Sequence, residues 1–138
     1  MIFCLSFMMY SFTCYGHRNI SSSHKNTLEF TKDKDVTKTG HCIVGVDSDF
    51  DAGKIKDVIK GGEKLKIVIS AKGIKDEITC LVNPEFDDSH EIVIRKFDFS
   101  SGRTLGIRCD KASSDLCAGL KAAFRDPEQK IKVTISTL

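Results

Sequence analysis

The sequence predicts a mainly β fold: a β-rich α+β chain in which a β-β-β-α-β unit, used twice, forms one β-sandwich or barrel-like domain with two short helices. Three observations predict it. Apolar and polar residues alternate with a period of two through most of the chain, only two segments carry a helical stripe, and the order of segments recurs halfway along. "TCYGHRNISSSH" (13–24) lies over "TCLVNPEFDDSH" (79–90), and "KLKIVIS" (64–70) over "KIKVTIS" (130–136), both 66 residues apart. "VGVDSD" (44–49) lies over "LGIRCD" (105–110), 61 residues apart. The length differences fall in polar stretches, "KDKDVTKTG" against "FDFSSG" and "GGE" against "AAFRDPEQ", where insertions are tolerated.

Taken in order, "SFTCYG", "TLEFTK" and "CIVGV" read as the first three strands, with β-branched and aromatic residues at alternate positions. Residues 51–60 follow as a helix, with Ala52, Ile55, Val58 and Ile59 on one stripe, an aspartate before it as N-cap and Gly61-Gly62 behind it. "LKIVISA" closes the first unit. "EITCLV", "EIVIRKF" and "TLGIRC" repeat the three strands. Residues 114–124 repeat the helix on Leu116, Leu120, Ala123 and Phe124, with serine as its N-cap and Pro127 beyond its end, and "IKVTIST" ends the chain. Half a chain would bury a marginal core and leave its edge strands open, so units 10–75 and 76–138 are expected to pack as one domain, 10–138.

Composition narrows the function. The net charge of +2 does not call for a polyanionic partner, and 8% aromatic residues without tryptophan give no base-stacking platform, so no nucleic-acid signal arises. The opening "MIFCLSFMMYSF" lacks a basic stretch and a cleavage site and is too short to span a bilayer. It reads as an extension or misassigned start over residues 1–9, with translation beginning at Met8 or Met9, so no membrane association is expected. The six cysteines show no metal-type or disulfide-dense spacing. Cys14, Cys42, Cys80 and Cys109 sit in strand-like runs where a free thiol packs as a small hydrophobe, which predicts a reduced, cytoplasmic protein.

No cofactor motif or phosphate loop is present. "DSDFDAG" alternates Asp47, Asp49 and Asp51 as a calcium loop does, but Ala52 stands where the loop needs glycine and Val58 where it needs glutamate. Its aspartates are better read as helix caps, and no metal is assigned.

The polar loop "GHRNISSSH" places His17 and His24 around one turn, with Arg18 beside it and Glu29 on the strand that follows. Such a set could bind an anion or metal, or supply a general acid and base; the plainer reading has the imidazoles bonding loop carbonyls. His24 is set over His90 by the repeat and His17 over Asn83, so His17, unmatched, carries more functional weight. A second cluster, "SGRTLGIRCDKASSD", gathers Arg103, Arg108, Asp110 and Lys111 before a helix start, which suits an anion; the plainer reading is an Arg108 to Asp110 ion pair.

"GHRNISSSHKNTLEFTK", "GHCIVGV" and "GRTLGIRCDKASSDL", in that order, resemble an archaeal family described as a domain of unknown function. The resemblance runs from about residue 12 onward and implies a mainly β fold of sandwich type and no particular activity. The family pattern maps onto Gly16, His17, His24, Thr27, Glu29, Gly40, Cys42, Gly45, Gly102, Arg103, Asp110 and Lys111. His41 departs from it where an acidic residue is expected, and Phe50 where lysine is.

The leading expectation is a small-molecule or anion-binding module whose site is lined by His17, Glu29, Arg103 and Lys111. The rivals are a hydrolase or isomerase, metal-dependent or using His17 or His24 as base with Glu29 orienting it, and a structural or assembly protein. A homodimer is compatible with any of them.

Overall fold

The computed structural model describes residues 9–138. The expectations for the extension, and for Cys4 within it, lie outside the described residues except at Met9, which opens the first strand. Eight strands form where period-two alternation predicted them: β1 (Met9–Tyr15), β2 (Thr27–Thr31), β3 (Ile43–Gly45), β4 (Lys64–Ala71), β5 (Ile74–Val82), β6 (Glu91–Arg95), β7 (Thr104–Ile107) and β8 (Lys130–Thr137). Helix α1 (Ala52–Ile59) joins β3 to β4, and α2 (Ala118–Ala123) joins β7 to β8.

All eight strands belong to one mixed sheet, in the order β1-β8-β4-β5-β7-β6-β2-β3. Its two ends meet. Tyr15 at the end of β1 and Val46 just beyond β3 exchange both backbone hydrogen bonds, at 2.8 and 2.9 Å. The sheet therefore closes on itself as a barrel rather than splitting into the two facing sheets of a sandwich, its two edge strands joined at that bridge. The alternation decides which side is buried: Leu65, Ile67 and Ile69 of β4 meet Ile131, Val133 and Ile135 of β8 inside, while Lys66 and Lys132 face out. Burying each such aliphatic side chain contributes roughly 1.5–3 kcal/mol. Phe12 stands edge-on to Phe30 and Phe50, with ring centroids 5.5 and 5.6 Å apart, and joins β1, β2 and the approach to α1.

The pairing scheme is unchanged when β1–β4 are exchanged for β5–β8. β1 lies antiparallel to β8 as β5 does to β4, and β2 and β3 are parallel, as are β6 and β7, each pair with one register shift. Local contacts match as well. Asp49 accepts from the Thr13 N–H and Asp110 from the Thr79 N–H. Gly45 lies against Cys14 and Gly106 against Cys80, so close that a side chain at either glycine would overlap the sulfur-bearing residue.

β4 and β5 are joined by a two-residue turn, Lys72-Gly73, with both φ angles positive (56° and 74°), the hairpin geometry whose twist suits the strands it joins. Asp51 caps α1 by accepting from the Lys54 N–H, and Gly61 (φ 74°) turns the chain out of the helix. α2 differs from its expected span of 114–124. Ser113–Asp115 form a separate 3-10 turn, and Leu116 and Cys117 are extended before the helix proper begins. The expected serine cap is absent; the Cys117 N–H is met instead by Asp76 of β5 and the Ala112 N–H by Asp115. The cysteine expectation also needs correction. Cys80 and Cys109 are joined as a disulfide, while Cys14, Cys42 and Cys117 are free thiols. No spacing rule could find that pair, because the antiparallel pairing of β5 with β7 brings the two residues together.

Candidate functional site

The histidines of "GHRNISSSH" are both turn clamps. The His17 ring accepts from the Asn19 N–H through Nδ1, which leaves the proton on Nε2 to donate to Asp35 at 2.6 Å. Its backbone N–H bonds to Phe124 behind α2, and Asn19 Nδ2 donates to the Val36 carbonyl. Both ring nitrogens are engaged, and His17 ties the 16–24 loop to the 33–40 loop. Asn83 does the same in the second half, where its Oδ1 accepts from the Glu85 N–H and its carbonyl from Phe86, as the His17 carbonyl does from Ile20. His17 is therefore matched in role though not in residue type, because the turn needs an acceptor and an imidazole or an amide can supply one. His24 Nδ1 accepts from the Asn26 and Thr27 N–H groups that open β2. The residue doing this before β6 is Asp88, which accepts from His90 and Glu91. The sequence match of His24 to His90 was thus out by two positions, and His90 bonds Asp33 instead.

The cations of the second cluster are each answered by a carboxylate outside it. Arg108 forms a two-pronged pair with Asp98 rather than with Asp110, and holds that carboxyl below its ordinary range. Lys111 pairs with Asp76. Burial disfavours ionising Asp76, but the Lys111 ammonium and the Cys117 and Glu77 N–H groups outweigh it and keep its pKa low. Asp110 is spent on the Thr79 N–H.

Of the four residues expected to line one site, the structure brings Glu29 and Arg103 together and gives His17 and Lys111 other partners. Glu29 lies on the outward face of β2, opposite Val93 of β6, with its side chain 8% exposed. Arg103 Nη1 is 3.7 Å from Glu29 and 3.0 Å from Glu91, and the Cys42 thiol donates to Glu29 across 3.6 Å. Burial and a hydrogen bond shared with Glu91, together with the charge of Glu91, push the Glu29 carboxyl up to about 8 against the opposing pull of Arg103. Burial and the neighbouring Glu29 push the Cys42 thiol up to about 11. Glu91 and Cys42 were not legible as partners of Glu29, because only the β2–β6 register sets Glu91 diagonally across from it. No imidazole bonds to Glu29 among the described residues, so the His–Glu acid–base pair is not formed. Nor is any group of three or more His, Cys, Asp and Glu side chains there arranged to hold a metal ion.

Cations without carboxylate partners gather elsewhere. Arg18 and Ser21 of the histidine loop, Lys38 of the 33–40 loop and Arg125 behind α2 line a recess of about 210 Å³ together with Asn19 and Ile20. Among the described residues none of the three cations forms an ion pair, whereas Lys56, Lys66, Lys96, Arg103, Arg108 and Lys111 each do. A groove of about 540 Å³ adjoins this recess and shares Asn19 and Lys38 with it. The sequence offered Arg18 beside His17 but hid the other two: Lys38 sits in a charge run that reads as a solvated loop, and Arg125 is brought to the loop by the bonds of the Gly16 and His17 N–H groups to Gln129 and Phe124.

No helix among the described residues is long and apolar enough to cross a membrane. The chain is similar to an uncharacterized protein of Methanocaldococcus jannaschii, 36% identical over an alignment of 107 positions that covers 73% of this chain and 79% of that protein. Residues 12–138, which carry the three ordered motifs and the whole barrel beyond the first three residues of β1, match the family described as Domain of unknown function (DUF371), and the chain belongs to that family.

Proposed function

We propose that the chain is a binding module for a small anion, seated between Arg18, Lys38 and Arg125. The observation that carries this reading is the convergence of three cations, none with an ion-pair partner among the described residues, on a recess that also offers the Ser21 hydroxyl and the Asn19 amide. Like charges held together repel, and an anion between them turns that repulsion into attraction; guanidinium forks suit the oxygens of a phosphoryl or carboxylate group. His17 positions the cradle rather than touching the ligand, since its two nitrogens fix the loops that carry Arg18 and Lys38. The matching contacts of the two halves support a further reading, that 10–75 and 76–138 are repeats within one domain, the cradle drawing Arg18 and Lys38 from the first and Arg125 from the second.

Isothermal titration with inorganic phosphate at low ionic strength tests the proposal. Binding is expected, weakening as salt is added. The Arg18→Ala/Arg125→Ala double variant should lose it by at least tenfold while unfolding at an unchanged temperature, because both side chains are exposed. Undiminished phosphate binding by that variant would refute the cradle.

A further inference from the structure

We infer that the anion is the phosphoryl group of a sugar monophosphate, whose uncharged body lies in the adjoining groove; this rests on the anion cradle proposed above. The two recesses are contiguous, since Asn19 and Lys38 line both. A free inorganic anion would leave the larger one unused, and its volume of about 540 Å³ falls within the roughly 300–1,000 Å³ usual for small-molecule sites.

The lining of the groove describes the body. Val36 and Ile43 give it an apolar floor and pack closely on Gly40, where a Cβ would meet both side chains at 2.7 and 3.3 Å. Beyond the shared Lys38, its ionisable group is Asp35, 91% exposed and oriented by the His17 Nε2–H. A carboxylate there accepts hydrogen bonds from hydroxyl groups and repels a second anionic group, so the body is hydroxylated and uncharged rather than a bisphosphate or a dicarboxylate. The hydroxyls of Thr37 and Thr39, 2.8 Å apart, bond to each other and keep spare acceptor capacity toward the same space. Among the described residues no aromatic ring lines either recess to stack a base, and this favours a sugar over a nucleoside.

Calorimetric titration with inorganic phosphate, glucose 6-phosphate, a ribonucleoside monophosphate and free glucose separates the two claims. Glucose 6-phosphate should bind at least tenfold tighter than phosphate and tighter than the nucleotide, with free glucose below detection. In Asp35→Asn the preference for glucose 6-phosphate over phosphate should shrink severalfold, since the carboxylate that accepts from the sugar hydroxyls has gone. Equal affinity for phosphate and glucose 6-phosphate, or a nucleotide that binds tighter than the sugar phosphate, overturns this inference and leaves the anion cradle standing. Absence of any phosphate binding that depends on Arg18 and Arg125 removes both.

Discussion

Glu29 is a carboxylic acid that its surroundings keep neutral at a pH where an ordinary glutamate is charged. Burial raises its pKa to about 8, helped by Glu91, and the direction of the shift fixes its effect on stability. Below about pH 4.5 the folded and unfolded chains both hold the proton, and the group favours neither. Between there and about pH 8 the unfolded chain releases the proton while the folded chain retains it, so stability contributed by the neutral acid is lost as pH rises. Urea midpoints measured from about pH 5 to about pH 8 should therefore fall in the natural protein and fall less in Glu29→Gln, which carries a neutral side chain of the same shape throughout. Parallel slopes for the two proteins would show that Glu29 does not titrate in this window. The residue scale is also where the sequence misled most. Histidine, arginine and lysine attract attention as types, but His17, Arg108 and Lys111 are each committed to a neighbour that only the folded chain supplies. Lys38 and Arg125, which form no ion pair among the described residues, sit in runs of charge that look like ordinary surface.

At the scale of elements the repeated feature is a clamp between a strand and the bend after its neighbour. Thr13 of β1 is held by Asp49, which takes both its N–H and its hydroxyl, and the Asp49 N–H returns a bond to the Thr13 carbonyl. Thr79 of β5 is held by Asp110 through the N–H alone, with the same return bond. Asp47 and Arg108, two residues before these aspartates, both turn the chain at positive φ, 51° and 50°. Removing the carboxylate should cost roughly 0.5–1.5 kcal/mol per bond lost, so Asp49→Ala should lower the denaturation free energy more than Asp110→Ala does. Equilibrium denaturation of both variants checks the order, and a larger loss from Asp110→Ala would show that the number of bonds to the carboxylate does not set it. Strand order along the chain was legible because period-two alternation with β-branched residues is a local signal, and α1 was legible because its cap and stripe are local too. The break before α2 was not. Its extended Leu116-Cys117 step is fixed by Asp76, 41 residues away on β5, and no window along the chain contains that contact.

For the whole molecule the consequence of the pairing scheme is that stability is uneven around the barrel. β4, β5 and β8 pair over six to eight consecutive residues and bury alternate aliphatic side chains throughout. The opposite wall is thinner: β3 has three residues, its register on β2 shifts between Glu29 and Phe30, and its junction with β1 is the single Tyr15–Val46 bridge. Opening that seam breaks few backbone bonds, so the β1–β3 junction should separate at a lower free energy than the β4–β5–β8 wall. Val46→Pro tests this by deleting the N–H that donates to the Tyr15 carbonyl. In native-state hydrogen exchange the amides of β3 and the C-terminal end of β1 should lose most of their protection in the variant, while those of Ile67, Ile69, Val133 and Ile135 keep theirs up to the global limit. A uniform fall in protection around the barrel would show instead that the seam opens only when the whole sheet does, and that closure is a condition of the fold rather than its last step.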